Sequence, residues 1–413
     1  MQLYSSNQTY KLFQWNMLDL WEVIEPCSID SIVTDPPYEL NFMWKWWDNS
    51  WIAFQPDTWK KCLDALKPWG YLLAFWGSRT YHRIACAIED AGFEIRDCIM
   101  WLYGSWFPKS LNLWNKVEKY KWWGTCLKPS YEPIIVARKP LEWSCTDNVI
   151  KYWVGGINID ECRVETQDDL YREPCENGSI YSQQEKKYTT GTMNDSYKLG
   201  RFPANTIIDE EVAEWMPMGS KTGHRSQVSI NNCIESRKLK KWNSQCDIWG
   251  NINHITEYTD SWSVARYFYC AKASKRDRDE GLDEMEMDYL SDGRKKPIDN
   301  PFQRWETPRR NVHPTVKPTS LMQYLVRLVT PNGWTVLDPF NWSGSTWKAV
   351  MYENKDRNKN YKYIWIELTE EYLPIAKARI EYVINKGVEK SEIEESKDTS
   401  PSNIEQWKES ALF

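Results

Sequence analysis

Three short segments carry residues whose types and spacing can do chemistry. The first, Asp35-Pro36-Pro37-Tyr38, follows the apolar run Ile29 to Val33. Two prolines make a stiff loop with few N–H groups of its own. Its carbonyls and the Asp35 carboxylate can therefore face a pocket as acceptors, and Tyr38 can offer a ring face. This set suits an exocyclic amine on a nucleobase. Such a nitrogen is a poor nucleophile, because its lone pair is delocalised into the ring. Two acceptors gripping its N–H groups favour a pyramidal, reactive nitrogen, and a stacked aromatic holds a base swung out of the duplex. Taken alone, the tetrapeptide is more often an ordinary turn.

The second segment is His313-Pro314-Thr315-Val316-Lys317-Pro318, just before a helical pattern. Lys317 can pair with a ligand carboxylate; the alternative is a rigid start to the helix. The third, Asp338-Pro339-Phe340-Asn341-Trp342-Ser343-Gly344-Ser345-Thr346, links a strand to a helix. A small-residue loop at a helix N-terminus presents N–H groups to a carboxylate or phosphate. Glu367 ends the next apolar run, where an acid in a doubly wound sheet takes ribose hydroxyls.

The elements that must position these segments alternate. Strands are predicted at Tyr10 to Phe13, Ile29 to Val33, Tyr71 to Trp76, Glu94 to Tyr103, Pro133 to Arg138, Thr335 to Leu337 and Tyr363 to Ile366. Helical spacing falls at Leu18 to Ile24, Thr58 to Leu66, Tyr81 to Ala91, Pro318 to Val329, Ser345 to Met351 and Glu370 to Asn385. The alternation predicts an α/β fold with a doubly wound, mostly parallel twisted sheet. Residues 155–304 are polar, with few periodic segments, and read as an inserted region of irregular structure. Residues 387–413 are charged and serine-rich and read as a disordered tail.

Composition narrows the function classes. No apolar run is long enough for a membrane span, and Met1 to Tyr10 lacks an apolar signal core, so a cytoplasmic location is expected. Eleven cysteines without a CxxC pair, beside four histidines, predict free thiols and no metal site. The net charge of −6 does not favour nucleic acid. Charge is local, however, and basic clusters occur at Arg237 to Lys241, Lys272 to Arg278, Arg294 to Lys296 and Arg309 to Arg310. Each alone reads more readily as a solvated face. A nicotinamide dehydrogenase is disfavoured by the absent G-x-G-x-x-G.

The chain has 26 Trp and only 18 Gly, against an ordinary glycine usage of about 7%. Several Trp stand in turn contexts, as in Pro68-Trp69-Gly70, Gly333-Trp334 and Asn341-Trp342-Ser343. Tight turns call for a residue that tolerates positive φ, which Gly does without steric cost. Many of these Trp are therefore expected to be glycines, encoded by UGA in a source that reads UGA as glycine. With Gly at 342 the loop permits close backbone approach; as it stands, the indole obstructs that space.

Together the three segments resemble a known family, the permuted beta class of DNA amino-methyltransferases, and particularly its solitary phage-like members. The resemblance rests on DPPY, an intervening region, HPTVKP and DPFNWSGST. It extends to Phe107-Pro108-Lys109-Ser110, Lys128 to Pro140, Arg201 to Asn205 and Phe268 to Lys275. It implies a Rossmann-like S-adenosyl-L-methionine-dependent fold. Residues 1–154 would form the catalytic half, 155–304 a target-recognition region and 305–386 the cofactor-binding half. Asp35 and the Pro36 carbonyl would bind the target amino group, within a catalytic segment completed by Pro37 and Tyr38, with Tyr38 stacking on the base. Lys317, with Pro318 behind it, would meet the methionine carboxylate of the cofactor. Asp338, Pro339, Phe340, Ser343, Gly344, Ser345 and Thr346 would frame that end, Glu367 the ribose, and Asn16 the adenine, where the family usually has an acid.

The implied reaction is direct methyl transfer to N6 of adenine in double-stranded DNA, because Asp rather than Ser heads the motif. N4 of cytosine and a catalytically inert DNA-binding relative are the alternatives. C5-cytosine chemistry needs a Pro-Cys nucleophile, and Pro26-Cys27 and Pro174-Cys175 both lie outside the cofactor half. The resemblance also implies a possible homodimer, with any restriction nuclease on a separate chain. The family shows Gly where this chain has Trp44, Trp46, Trp69, Trp76, Trp106, Trp143, Trp153, Trp342 and Trp365.

Overall fold

The segment that leads to Asp35 is β3 (Ile29–Thr34), after β1 (Gln2–Ser6) and β2 (Tyr10–Gln14). Every residue of β3 is buried, which a strand achieves only with neighbours on both edges and helices on both faces. Its first two polar residues are paired accordingly. Asp30 accepts from Lys67 Nζ at 2.6 Å and from the Thr335 backbone N–H at 2.8 Å. The Ser31 and Thr330 hydroxyls lie 2.7 Å apart.

The computed structural model describes all residues except 1, 23, 40–49, 105–109, 112, 114–116, 122, 167–199, 217–263, 272–276, 292–305, 314 and 399–413. Further strands are β4 (Leu66–Phe75), β5 (Glu94–Leu102), β6 (Tyr131–Arg138), β7 (Thr206–Asp209), β8 (Tyr269–Ala271), β11 (Thr335–Asp338) and β12 (Lys362–Glu367). They form one sheet in the order β1-β2-β12-β11-β3-β4-β6-β5-β7-β8. The run β2-β12-β11-β3-β4 is parallel throughout. β6 runs antiparallel between β4 and β5. A separate hairpin pairs β9 (Asp288–Ser291) with β10 (Glu306–Arg309).

Helices cover both faces. One core packs Trp59, Leu63, Ile84 and Ile88, from α1 (Pro56–Ala65) and α2 (Tyr81–Asp90), against Leu72 and Ala74. The other packs Leu321, Trp347 and Ile380 against Tyr71, Leu73 and Phe75. Those three come from α5 (Thr319–Val329), α6 (Ser345–Asp356) and α7 (Leu373–Asp398), which follow α3 (Cys145–Tyr152) and α4 (Glu210–Trp215). The alternation along β4 assigns its odd and even residues to opposite faces. The result is the three-layer α/β arrangement expected from the sequence.

Some boundaries differ. Leu18 to Ile24 is no α-helix but a 3-10 segment, Met17–Glu22, broken at Asp19. The turn at Lys67 to Gly70 lies inside β4, where the pairing with β3 shifts register between Ile29 and Ser31. The region read as an irregular insertion gives two strands to the main sheet, with Trp101 facing Ile207 and Ile208 facing Cys270. These strands are three and four residues long, too short for a periodicity signal. The last helix runs to Asp398, into the segment read as a tail. That stretch is rich in Lys and Glu, which are good helix formers. No described helix is long and apolar enough to cross a membrane.

Between α5 and α6, Arg327 grips the Glu353 carboxylate with two bonds, at 3.0 and 2.5 Å. Both side chains are buried, so removing one strands the other's charge. We expect Arg327→Met to cost about 3–5 kcal/mol in urea unfolding. The double variant Arg327→Met/Glu353→Leu should recover most of it.

Candidate active site

β3, β11 and β12 are parallel neighbours, so their carboxyl ends lie along one edge of the sheet. That edge is where open α/β sheets bind ligands. It collects Asp35 after β3, Asp338 at the end of β11 and Glu367 at the end of β12.

Asp338 is fully committed to the protein. Its Oδ1 accepts from Thr34 Oγ1 at 2.6 Å and from the Phe340 backbone N–H at 3.1 Å. Its Oδ2 accepts from Thr346 Oγ1 at 2.6 Å and from the Tyr363 hydroxyl at 3.4 Å. Burial pushes its pKa up to about 6, against the pull of these donors. Asp338 and Thr346 thus hold the loop in place from behind. Gly344 caps α6 at φ 79°, a conformation that favours glycine.

Lys317 does not stand alone facing a ligand. Its Nζ donates to Asp35 Oδ2 at 2.7 Å and lies 3.4 Å from Glu132 Oε2. The Tyr38 hydroxyl donates to the same Glu132 oxygen at 3.0 Å. Two carboxylates therefore share one ammonium in a buried site. Burial raises the Asp35 pKa against the pull of Lys317, and Glu132 raises it further. Burial works against the Lys317 charge, but Asp35 and Glu132 outweigh it and its pKa ends up raised. Among the described residues Asp35 Oδ1 has no donor. One hydroxyl hydrogen serves one carboxylate at a time, and that of Tyr38 goes to Glu132. The Tyr38 ring lies 5.3 Å from that of Trp76.

Beside these residues lies a cavity of about 320 Å³, lined among others by Asn16, Pro37, Phe340, Trp342, Ile366 and Glu367. Asn16 also caps the segment after it, accepting from the Leu18 N–H at 3.0 Å. Glu367 accepts from the backbone N–H groups of Trp342 at 2.6 Å and Thr369 at 2.7 Å. Burial nevertheless raises its pKa to about 8. A second, much smaller cavity of about 10 Å³ borders Asp35, Lys317, Asp338, Phe340, Ser343, Ser345 and Thr346. Pro36 and Pro318 are buried, and Pro339, also buried, lines the larger cavity.

Trp342 and Phe340 line both cavities. The Trp342 backbone is left-handed, at φ 51°. Its indole is 9% exposed and donates to the Asp35 carbonyl at 2.5 Å. The ring lies 5.2 Å from that of His313. His313 itself is buried, and its pKa is held well below the usual value by burial and by Lys317, Arg278 and Arg379. The indole thus borders the acceptor loop as well as both cavities.

Sequence reasoning missed two contributors. Arg379, fully buried, donates to the Ser343 carbonyl at 2.6 Å and to Ser343 Oγ at 3.2 Å. Glu132 lay in a stretch singled out only for its resemblance. Its signal was a lone charge at the start of an otherwise apolar strand. Cys27 is exposed and precedes β3, at the opposite end of that strand from Asp35. Trp44, Trp46, Trp106 and Pro174-Cys175 lie outside the described residues, as do the basic clusters at 237–241 and 294–296.

A parallel sheet with acids at its carboxyl edge, a proline-stiffened acceptor loop and an adjoining cavity define the class. The chain matches the N6/N4 DNA methylase family over residues 29–378, and it belongs to that family. It is 26% identical over 122 residues to the type II methyltransferase M.HindIII of Haemophilus influenzae. That match covers 27% of this chain and spans 38% of the relative's length. The PvuII DNA methyltransferase (cytosine-N4-specific) is similar in structure, with 15% identity over 93% of this chain and 94% of that one, at a TM-score of 0.43. The M1.HpyAVI–SAM complex is similar at 14% identity over 90% and 98%, at a TM-score of 0.39.

The raised carboxyls give a pH signature. Glu367 and Asp338 hold protons in the folded state that they lose near 4.5 and 3.8 when unfolded. The folded state binds more protons in those windows, so stability falls as pH rises. We expect unfolding free energy to decline from the acid side towards about pH 8, the pKa of Glu367. Glu367→Gln should flatten the upper part of that decline in urea titrations at successive pH values.

Proposed function

We propose that the chain transfers a methyl group from S-adenosyl-L-methionine to the N6 amino group of an adenine flipped out of duplex DNA. The observation that carries this reading is Asp35 Oδ1, buried without a donor among the described residues, in the acceptor loop whose Pro37 lines a nucleoside-sized cavity. The cavity suits the nucleoside part of the cofactor. It has an apolar lining, an amide at Asn16 and a carboxylate at Glu367, and its volume sits near the lower end of ligand pockets, about 300 Å³. Ser343, Gly344 and Ser345 would receive the amino-acid end.

When bound, the cofactor supplies a methyl group made electrophilic by a sulfonium. The protein's part is positioning and electrostatics. Asp35 Oδ1 accepts one amino hydrogen and the Pro36 carbonyl the other. The nitrogen lone pair is thereby freed from the ring. Tyr38 holds the base against displacement. As the new N–C bond formed, the methyl–sulfur bond would break to leave a neutral thioether, the positive charge would pass to the nitrogen, and Asp35, whose pKa burial raises, would take the departing proton. Asp at the motif head supports adenine over cytosine. Residues 155–304 act as the target-recognition region, supported by their departure from and return to the sheet edge at β7 and β8.

Trp342 is the residue that does not fit, and this reading includes an account of it. We infer that Trp69, Trp153 and Trp342 stand where the natural protein has glycine. Among described residues, seven non-glycine positions have positive φ, and four of them are tryptophan: Trp51, Trp69, Trp153 and Trp342. Trp makes up only 26 of 413 residues, so the excess points to glycine positions. Trp153 is the left-handed C-cap of α3 at φ 58°, a place where helices prefer glycine. UGG codons at these positions would sink the inference.

Two measurements test the reading. Trp342→Gly should convert absent or weak cofactor binding, by calorimetry, into measurable binding. With cofactor and unmethylated plasmid DNA, nucleoside mass spectrometry should then find N6-methyladenine; N4-methylcytosine would reassign the base. Asp35→Ala should lower transfer at least about a hundredfold while sparing cofactor affinity, and retained transfer would remove Asp35 from its role.

A further inference from the structure

β6 is buried from Glu132 to Ala137, and Glu132 is the only charged residue in that stretch. A leucine or methionine would fill the position without desolvating a charge. The carboxylate therefore answers to something other than the fold. Its Oε2 takes the Tyr38 hydroxyl at 3.0 Å and faces Lys317 Nζ at 3.4 Å.

The geometry points to Glu132 as a positioning residue that keeps Asp35 open to substrate, by drawing the Tyr38 hydroxyl and the Lys317 ammonium towards itself. The inference rests on the methyl-transfer reading above. Asp35 has two acceptor oxygens. Lys317 holds Oδ2 at 2.7 Å. The Tyr38 hydroxyl also acts on the Asp35 carboxyl, and the Lys317 ammonium carries hydrogens beyond the one given to Oδ2. Either would cap the oxygen that the amine must use. Glu132 gives both a better-placed partner, because a single oxygen accepts from one and attracts the other. The groups facing Asp35 are thus Lys317, Glu132 and Tyr38 on its near side, with Asp338 behind. With Glu132 removed, the Tyr38 hydroxyl turns to Asp35 Oδ1 and blocks it.

This account predicts a rescue that a merely structural role would not. Turnover is measured on unmethylated plasmid DNA, in the more active of the full chain and its Trp342→Gly variant. Glu132→Ala should lower kcat about a hundredfold, with KM for DNA and cofactor affinity little changed. Adding Tyr38→Phe removes the hydroxyl that would cap Asp35 but keeps the ring, and should restore kcat about tenfold. Glu132→Gln keeps an acceptor for Tyr38 and should fall between the parent and Glu132→Ala. Its kcat profile should also move its acid limb to lower pH, since one charge that raises the Asp35 pKa is gone. Unchanged kcat in Glu132→Ala, or a double variant no better than it, would overturn the assignment. If Glu132→Ala does not fold, Glu132→Gln with and without Tyr38→Phe makes the decision through the same pH shift. If no form of the chain transfers methyl groups, the methyltransferase reading has failed. The assignment of Glu132, which rests on that reading, is then overturned with it, whereas an active parent with an unaffected Glu132→Ala overturns the assignment alone.

Discussion

The site depends on one buried carboxylate behind it. Asp338 accepts from Thr34 on β3, from the Phe340 N–H in its own loop, from Thr346 on α6 and from Tyr363 on β12. Those donors come from four separate pieces of chain, and the Thr34 contact spans 304 residues of sequence. Burying a carboxylate is costly unless it is hydrogen-bonded on both oxygens, and here both are occupied twice. The arrangement fixes the end of β3 against the end of β11. Asp35, one residue beyond Thr34, is thereby held beside the loop at 339–346.

From that pin the charges follow. Lys317 reaches Asp35 from a different loop, 282 residues away, and carries the single positive charge between two carboxylates. Such a cluster is stable only while every partner is present. Arg379 performs a similar service for the outer side of the loop, holding the Ser343 carbonyl from α7. The loop is thus gripped by Asp338 and by Arg379. Several of its N–H groups are committed as well: Phe340 to Asp338, Asn341 to the Ile366 carbonyl, Trp342 to Glu367 and Gly344 to the Asn341 carbonyl.

Tryptophan at left-handed positions is the structural counterpart of the compositional excess. Trp69 presses on Gly155, where a Cβ would come within 2.3 Å of the indole. Trp342 lines both cavities. Left-handed backbone costs a non-glycine residue about 1 kcal/mol or more. Trp76 and Trp365 are different, for they are fully buried and packed against other rings. Backbone conformation therefore speaks for some of the suspected positions and is silent on others.

Much of this molecule was legible from residues alone. The short apolar runs within β2, β3, β11 and β12 are enough to locate strands, because most positions of a strand inside a covered sheet are buried. The acceptor loop and the glycine-containing loop were legible because proline and glycine restrict the backbone locally. Helix spacing placed α1, α2 and α5 within a residue or two. Partners were another matter. That Lys317 bonds to Asp35 was not legible; Glu132 and Arg379 had no assigned role; β7 and β8 joined a sheet that their length did not announce. Local chemistry determines which groups a segment can offer, since it is written in consecutive residues. Which groups meet is decided by strand order and register, which bring residues hundreds of positions apart to the same edge of the sheet.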